Sequence, residues 1–465
     1  MTAVDTAAGD GLPEPAMTFH PMPQPGPAAP WAFPVPERSV LGNGMTVVRC
    51  HRPGQKLVAV EVVLAAPLHA EPEGLDGVAT IMARALTEGT GARGAEEFAA
   101  ALERCGATID AQADHPGVRV SLEVPASRLE QALELVAEAL RDPAFAEPEI
   151  ERTVANRLDE IEHELANPAR RAAMALYAEL FPAEDRISRP RQGSAETVRR
   201  IDRAAVVDFY STHLRPAGAT VVVVGDLTGI DLEPLLEGTL GRWKGEPGRP
   251  GALPAVTASD TTRVVIVHRP GSVQTQLLLG RIGPDRSDPV WPAQVVGTYC
   301  LGGTLTSRLD AVLREEKGYT YGVRAFAQPL RTTALLGISG SVATEVTAPA
   351  LEDTFTVLRT LAAEGLTDEE RDAAVQNLVG VAPLKFETAA VVADTFADQI
   401  EQGLPDDYQA ELYLRIAEAS TREASDAVVA AFVPERLVVA LVGDADQIAE
   451  PVRALGIGEV RVIGG

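Results

Sequence analysis

The sequence predicts an α+β protein in which one kind of domain, a mostly antiparallel sheet packed with helices, is used twice. Three landmarks carry this reading. His51-Arg52-Pro53-Gly54 recurs as His268-Arg269-Pro270-Gly271 after 217 residues, and Val224-Gly225-Asp226 recurs as Val442-Gly443-Asp444 after 218. The run Val118, Val120, Leu122, Val124 recurs as Leu336, Ile338, Gly340, Val342, again after 218. Alternating apolar residues mark a half-buried strand. A constant offset between separate landmarks marks a duplicated unit of about 200 residues.

The elements of the first copy follow in order. Gly42-Asn43-Gly44 is a turn, Met45 to Cys50 a strand, and Arg52-Pro53-Gly54 a second turn before the strand Leu57 to Leu64. Gly74 to Leu86 reads as a helix, and the alternating strand at Val118 follows. Leu129, Leu133, Val136 and Leu140 mark an amphipathic helix, and a longer one spans Glu149 to Leu165, ahead of Pro168. Ala219 to Val224 closes the unit as a strand. The resulting division is a proline-rich arm at 1–37, a first domain at 38–239, a Gly/Pro-rich linker at 240–262 and a second domain at 263–465. Nine prolines between Pro13 and Pro36 make the arm an extended tail.

Composition sets the function class. At 465 residues the chain can bury two cores, and 46% apolar with 23% charged residues is an ordinary globular balance. A formal charge of −25 argues against nucleic acid and anionic membrane as partners. Cys50, Cys105 and Cys300 are too few and too scattered for a disulfide framework or thiol metal site. With no run of 18 apolar residues and no export-type N-terminus, the expected compartment is the cytoplasm.

The most specific stretch is Leu301 to Gly322, LGGTLTSRLDAVLREEKGYTYG. A helix is expected from about Thr306 to Glu316, ended by Gly318. Tyr319 and Tyr321 then follow at strand spacing and are expected to point the same way. Arg314 at a helix end can clamp a peptide carbonyl or carboxylate, and the Tyr321 phenol can donate to a developing oxyanion. The plain alternative is a helix C-terminus carrying a favourable cation, followed by an amphipathic strand.

With its Gly-Gly, Ser-Arg-Leu, Leu-Arg-Glu and Gly-x-x-Tyr series, this stretch resembles the C-terminal signature of the insulinase/pitrilysin family of inverted-motif zinc peptidases. That family includes the mitochondrial processing peptidase. The resemblance covers about residues 38 to 465 and agrees with a two-domain α+β architecture. It implies that Arg314 and Tyr321 are the catalytic pair and that Gly302 and Gly303 contact substrate.

The resemblance also exposes a loss. The family's first domain carries Gly-x-Ala-His-x-x-Glu-His followed by Gly-Thr, with a third ligand, a Glu, further on; the two His and that Glu hold zinc. Here Gly77-Val78-Ala79 and Glu88-Gly89-Thr90 keep the frame, but Thr80, Ala83 and Arg84 stand at the two His and the general base. Glu160, 76 residues after Arg84, keeps the third position. No zinc is expected in this chain, and Arg84 is expected to pair with Glu160 across the former metal position. Glu160 and His163 form a lone Glu-x-x-His pair, read as a solvated or ion-paired helix face; the other histidines are not read as ligands.

The resemblance thus implies a chain inactive alone: the substrate-positioning subunit of a heteromeric zinc endopeptidase acting on peptides. Its partner would be a homologous subunit with the zinc motif intact, and zinc would sit there. The alternatives are a catalytically inert structural or binding subunit of the same family, and an independent enzyme with another centre.

Overall fold

The computed structural model describes residues 31–245, 261–330 and 332–464. Most of the arm read at 1–37, and residues 246–260 of the linker read at 240–262, lie outside them. Two six-stranded sheets organise the chain, one in each half. In the first, β1 (Glu37–Val40), β2 (Thr46–His51), β3 (Leu57–Leu64), β4 (Thr108–Asp114), β5 (Gly117–Pro125) and β6 (Thr220–Gly225) lie in the order β1-β2-β6-β3-β5-β4. In the second, β7 (Arg263–His268), β8 (Gln274–Gly283), β9 (Val323–Leu330), β10 (Thr333–Ala343), β11 (Val438–Gly443) and β12 (Glu459–Ile463) lie in the order β12-β7-β11-β8-β10-β9. Five strands repeat in order. The sixth is supplied differently: β1 runs antiparallel to β2, whereas β12 runs parallel to β7. Otherwise one pair per sheet is parallel, β2–β6 and β7–β11.

Those parallel pairs explain the duplicated landmarks. His51 pairs with Gly225, and His268 with Gly443. The Arg52 N–H donates to the Gly225 carbonyl at 2.7 Å, and the Arg269 N–H to the Gly443 carbonyl, also at 2.7 Å. His51 Nδ1 accepts the Leu227 N–H at 3.1 Å, and His268 Nδ1 accepts the Ala445 N–H at 3.0 Å. Asp226 and Asp444 each accept the N–H of the repeated glycine, Gly54 or Gly271, at 3.1 Å. Both glycines sit at positive φ, +86° and +70°, where a side chain would be strained. The repeated histidines and aspartates are therefore turn anchors. His268, Asp444 and Asp446 lie close enough to hold an ion, but Nδ1 and both Asp444 oxygens already accept hydrogen bonds within the chain.

Each half lends a helix to the other. The helix Pro168–Leu180, capped by the Asn167 side chain, belongs to the first half, yet Ala172, Leu176 and Leu180 pack on β8 and β11 of the second sheet. Gly280 in β8 leaves the room that Leu176 occupies. The helix Ala389–Glu401 of the second half packs in turn on β3 and β6. Arg119 of β5 ties that seam, reaching Asp394 at 2.5 Å, Asp398 at 2.9 Å and Glu401 at 2.5 Å. Phe33, read as part of an extended tail or wrapping arm, is buried with its ring 4.9 Å from Phe386 and 5.2 Å from Phe396. Leu240 and Trp243, read as linker, belong to the first core. Among the described residues no helix is long and apolar enough to cross a membrane.

Candidate functional site

The first-half site is built on the helix Val78–Ala85, which starts later than the Gly74 expected because Leu75 to Gly77 form a turn. Val78, Ala79, Ile81, Met82 and Ala85 are buried. Glu71 fixes the helix start: its Oε1 accepts the Gly77 N–H at 2.9 Å and the Ala79 N–H at 3.1 Å, satisfying donors that the first turn leaves free. Its Oε2 pairs with Arg186 at 2.7 Å, and Arg186 in turn meets Asp76. This buried network was not read from the sequence, because its members lie far apart in the chain and only the fold assembles them.

From this helix Arg84 reaches the neighbouring helix Glu147–Ala166 and grips Glu160 with two prongs, Nη1–Oε1 2.8 Å and Nη2–Oε2 2.9 Å. Arg157, one turn before Glu160 and almost fully buried, donates to Glu160 at 3.0 Å and to Glu164 at 3.0 and 2.8 Å. Arg157, Glu160 and Glu164 lie three and four apart on one helix face, a spacing that would have revealed the triad. Burial alone would raise the Glu160 carboxyl. The hydrogen bonds from Arg84 and then Arg157 outweigh it and hold the group below the usual carboxylate range.

These residues do not suit zinc. Thr80 and Ala83 are buried in the helix, and the Thr80 hydroxyl has no hydrogen-bond partner among the described residues. Glu160 is the one carboxylate at the motif positions, and both its oxygens are committed to guanidinium groups; a zinc site takes three or four ligands. What persists is a polar cleft of about 200 Å³ bordered by Arg84, Thr87, Glu88, Asp110, Arg152 and Glu160. His163 is exposed and its Nδ1–H donates to the Asp159 carbonyl at 2.8 Å, so the Glu160–His163 spacing makes no metal pair.

The second-half stretch differs from its reading in two respects. Gly302 ends a buried helix, Trp291–Gly302, where an added Cβ would lie 2.3 Å from the Ala325 nitrogen, so its smallness serves packing. The Gly303 carbonyl accepts from Arg324 at 2.9 Å. The helix expected from Thr306 begins at Arg308, and Ala311–Glu316 form a π-helical turn, in which the Lys317 N–H reaches the Val312 carbonyl at 3.0 Å. Such wider turns concentrate at functional sites. Gly318 ends it at φ +65°, as expected. The second correction concerns the tyrosines. They lie in a loop ahead of β9, so they do not share a face: Tyr319 packs against the second core and Tyr321 is 94% exposed.

Arg314 is a third exposed and pairs with its neighbour Glu315 at 2.9 Å. The Tyr321 phenol makes no hydrogen bond among the described residues, but its flanks are held. The Thr320 hydroxyl lies 2.7 Å from the Ser341 carbonyl and accepts the Gly322 N–H at 3.1 Å. The Val323 N–H donates to Asp310 Oδ1 at 3.0 Å. Thr320 and Asp310 were not singled out in the sequence.

A cavity of about 580 Å³ lies between the two halves, bordered by His69, His115 and Tyr177 from the first and by Gln328 and Glu401 from the second. Neither Arg314 nor Tyr321 borders it or the smaller cleft. Burial pushes the Cys50 thiol up to about 11 and the Cys300 thiol up to about 12, which makes both poor nucleophiles.

The fold is a duplicated α+β unit, and in its first half Arg84 and Glu160 close on each other between two helices. The comparisons with known proteins place it. Residues 46–190 match insulinase (peptidase family M16), and residues 200–378 match the peptidase M16 inactive domain. The chain belongs to the insulinase family. It is 28% identical over 374 residues, 79% of this chain and 84% of the relative, to an uncharacterised zinc protease of Mycobacterium tuberculosis. The crystal structure of a peptidase M16 inactive domain from Pseudomonas fluorescens superposes with a TM-score of 0.81 at 22% identity, covering 88% of this chain and 98% of that one. A protease from Helicobacter pylori superposes with a TM-score of 0.80 at 19% identity, covering 88% and 99%.

Proposed function

We propose that this chain is the non-zinc, substrate-positioning subunit of a heteromeric zinc endopeptidase that cleaves peptides or unstructured segments. The observation that carries the reading is the contrast between its two halves. In the first, Arg84, at a position the resemblance assigns to a zinc ligand, engages Glu160 with both prongs. In the second, Arg314 and Tyr321 keep their signature positions on a braced backbone, Tyr321 open to solvent and Arg314 a third exposed beside Glu315.

In this account a homologous partner with an intact zinc motif supplies the hydrolytic centre, and a peptide lies between the two subunits. The Tyr321 O–H donates to the scissile carbonyl oxygen as negative charge develops on it. Such a donor strengthens in the transition state and so lowers the barrier. Arg314 leaves its surface pair with Glu315, a contact worth little in water, and holds a backbone carbonyl or carboxylate of the substrate.

The experiment is reconstitution. Peptidase activity and zinc content are measured for this chain alone, for a zinc-motif homologue from the same cell alone, and for the mixture. The reading expects zinc in the homologue and strong activity only on mixing. Activity of the homologue that this chain does not change removes the proposal.

A further inference from the structure

We propose that Thr320 and Asp310 are positioning residues for Tyr321, holding the two feet of the short arch from which its phenol projects; this rests on the reading of Tyr321 as the hydrogen-bond donor. Tyr321 is 94% exposed and its side chain has no hydrogen bond or ring contact among the described residues, so no neighbour of the phenol orients it. Its direction comes from the backbone of the arch.

That backbone is anchored on both sides. Before Tyr321, the Thr320 hydroxyl lies 2.7 Å from the Ser341 carbonyl of β10 and 3.0 Å from the Gly322 carbonyl, and accepts the Gly322 N–H at 3.1 Å. After it, the Val323 N–H donates to Asp310 Oδ1 at 3.0 Å. One foot is fastened to the sheet and the other to the start of the helix that carries Arg314.

Asp310 is the more telling of the two. It is fully buried, and its second oxygen, Oδ2, has no hydrogen-bond partner among the described residues. Folded proteins rarely leave such an acceptor without a donor, and local rules are broken most often where function requires it. Standing four residues before Arg314, Asp310 couples the helix bearing the arginine to the loop bearing the tyrosine. A phenol on an untethered loop would sample many directions, and a misplacement of about 1 Å costs on the order of 10²-fold in rate.

The test uses the full chain reconstituted with a zinc-motif homologue from the same cell, assayed on a quenched-fluorescent peptide library, together with amide hydrogen exchange on the full chain alone. Thr320→Val and Asp310→Ala are each expected to lower kcat by about 10- to 100-fold while KM stays within about twofold. Thr320→Ser and Asp310→Asn, which keep the hydroxyl and the acceptor, recover most of the rate. On a Tyr321→Phe background neither truncation lowers kcat further. In the chain alone, the Gly322 and Val323 amides exchange faster in the truncated variants while those of β10 keep their protection. Should Asp310→Ala fail to fold, Thr320→Val decides. If Tyr321→Phe slows the reaction but the truncations leave kcat unchanged, the positioning role is overturned and the proposed function stands. If Tyr321→Phe itself leaves kcat unchanged, the proposed function falls and the positioning role falls with it.

Discussion

Arg84 and Glu160, 76 residues apart in the chain, meet through two parallel hydrogen bonds of 2.8 and 2.9 Å between neighbouring helices. The guanidinium bridges the helices Val78–Ala85 and Glu147–Ala166. Its geometry is that of a bidentate arginine–carboxylate contact. Both side chains remain partly open to solvent, at 32% and 43% exposure, so water screens the pair.

Removing one member therefore has a bounded cost. Arg84→Ala is expected to destabilise the fold by about 1 kcal/mol, because solvent screens the carboxylate left behind and Arg157 still covers it. Arg157→Ala is expected to cost roughly 3 kcal/mol, since a buried cation and its partners lose each other. Urea unfolding of the two variants checks the order; an Arg84→Ala cost above that of Arg157→Ala contradicts it.

The same geometry predicts how zinc binding would return. Wild-type protein is expected to carry no stoichiometric zinc. The triple substitution Thr80→His, Ala83→Glu, Arg84→His restores the motif, removes the competing cation and frees two hydrogen bonds on Glu160. Metal analysis of that variant should find zinc that is lost again on adding Glu160→Gln. Zinc in the wild type that depends on Glu160 would refute the assignment.

Much of this was legible because it was local. Strand Leu57–Leu64 was read residue for residue, its run of apolar and β-branched residues being preceded by the Gly54 turn. The Arg84–Glu160 approach, between residues 76 apart, was implied by the family resemblance and not by any local pattern. What the local sequence does not encode depends on distant partners. The helix Pro168–Leu180 shows apolar residues at Ala172, Leu176 and Leu180, but it packs on strands Gln274–Gly283 and Val438–Gly443, far along the chain, which no local pattern announces. The π-helical turn escaped because Leu309 and Leu313, four apart, are buried just as an α-helix would bury them. Tyr319 and Tyr321 have strand spacing but lie in a loop, so spacing alone misjudged their directions.

The exchange of helices makes a prediction about cooperativity. Leu176 is fully buried against the second sheet although it belongs to the first half. Leu176→Ala is expected to cost about 2–5 kcal/mol and to lower the melting temperature of the whole protein in one transition. Calorimetry resolving two transitions, with only the first half destabilised, would contradict the interlock.

Glu61 predicts a pH dependence. It is buried on β3, and burial drives its carboxyl from 4.5 up to about 7, against the opposing pull of the Ser121 hydroxyl and Arg119 and with the added push of Asp394 and Glu401. The folded protein thus keeps this proton to near pH 7, whereas the unfolded chain loses it near 4.5. Its stabilising contribution is complete below the lower value and is lost as pH rises to the upper one. Glu61→Gln, neutral throughout, should melt higher than wild type above pH 7, by up to about 3 kcal/mol in stability, with the advantage shrinking toward pH 4.5. An advantage independent of pH would assign the proton elsewhere.

The central claim is that Tyr321 works in a partner's active site. The direct measurement is kcat and KM of Tyr321→Phe in the reconstituted complex, with assembly confirmed by size and Tyr319→Phe as the control. The account predicts a kcat lower by about 10²–10³-fold, little change in KM, and a control near wild type. A fully assembled Tyr321→Phe complex that turns over at the wild-type rate would contradict it and leave the chain as an inert structural subunit.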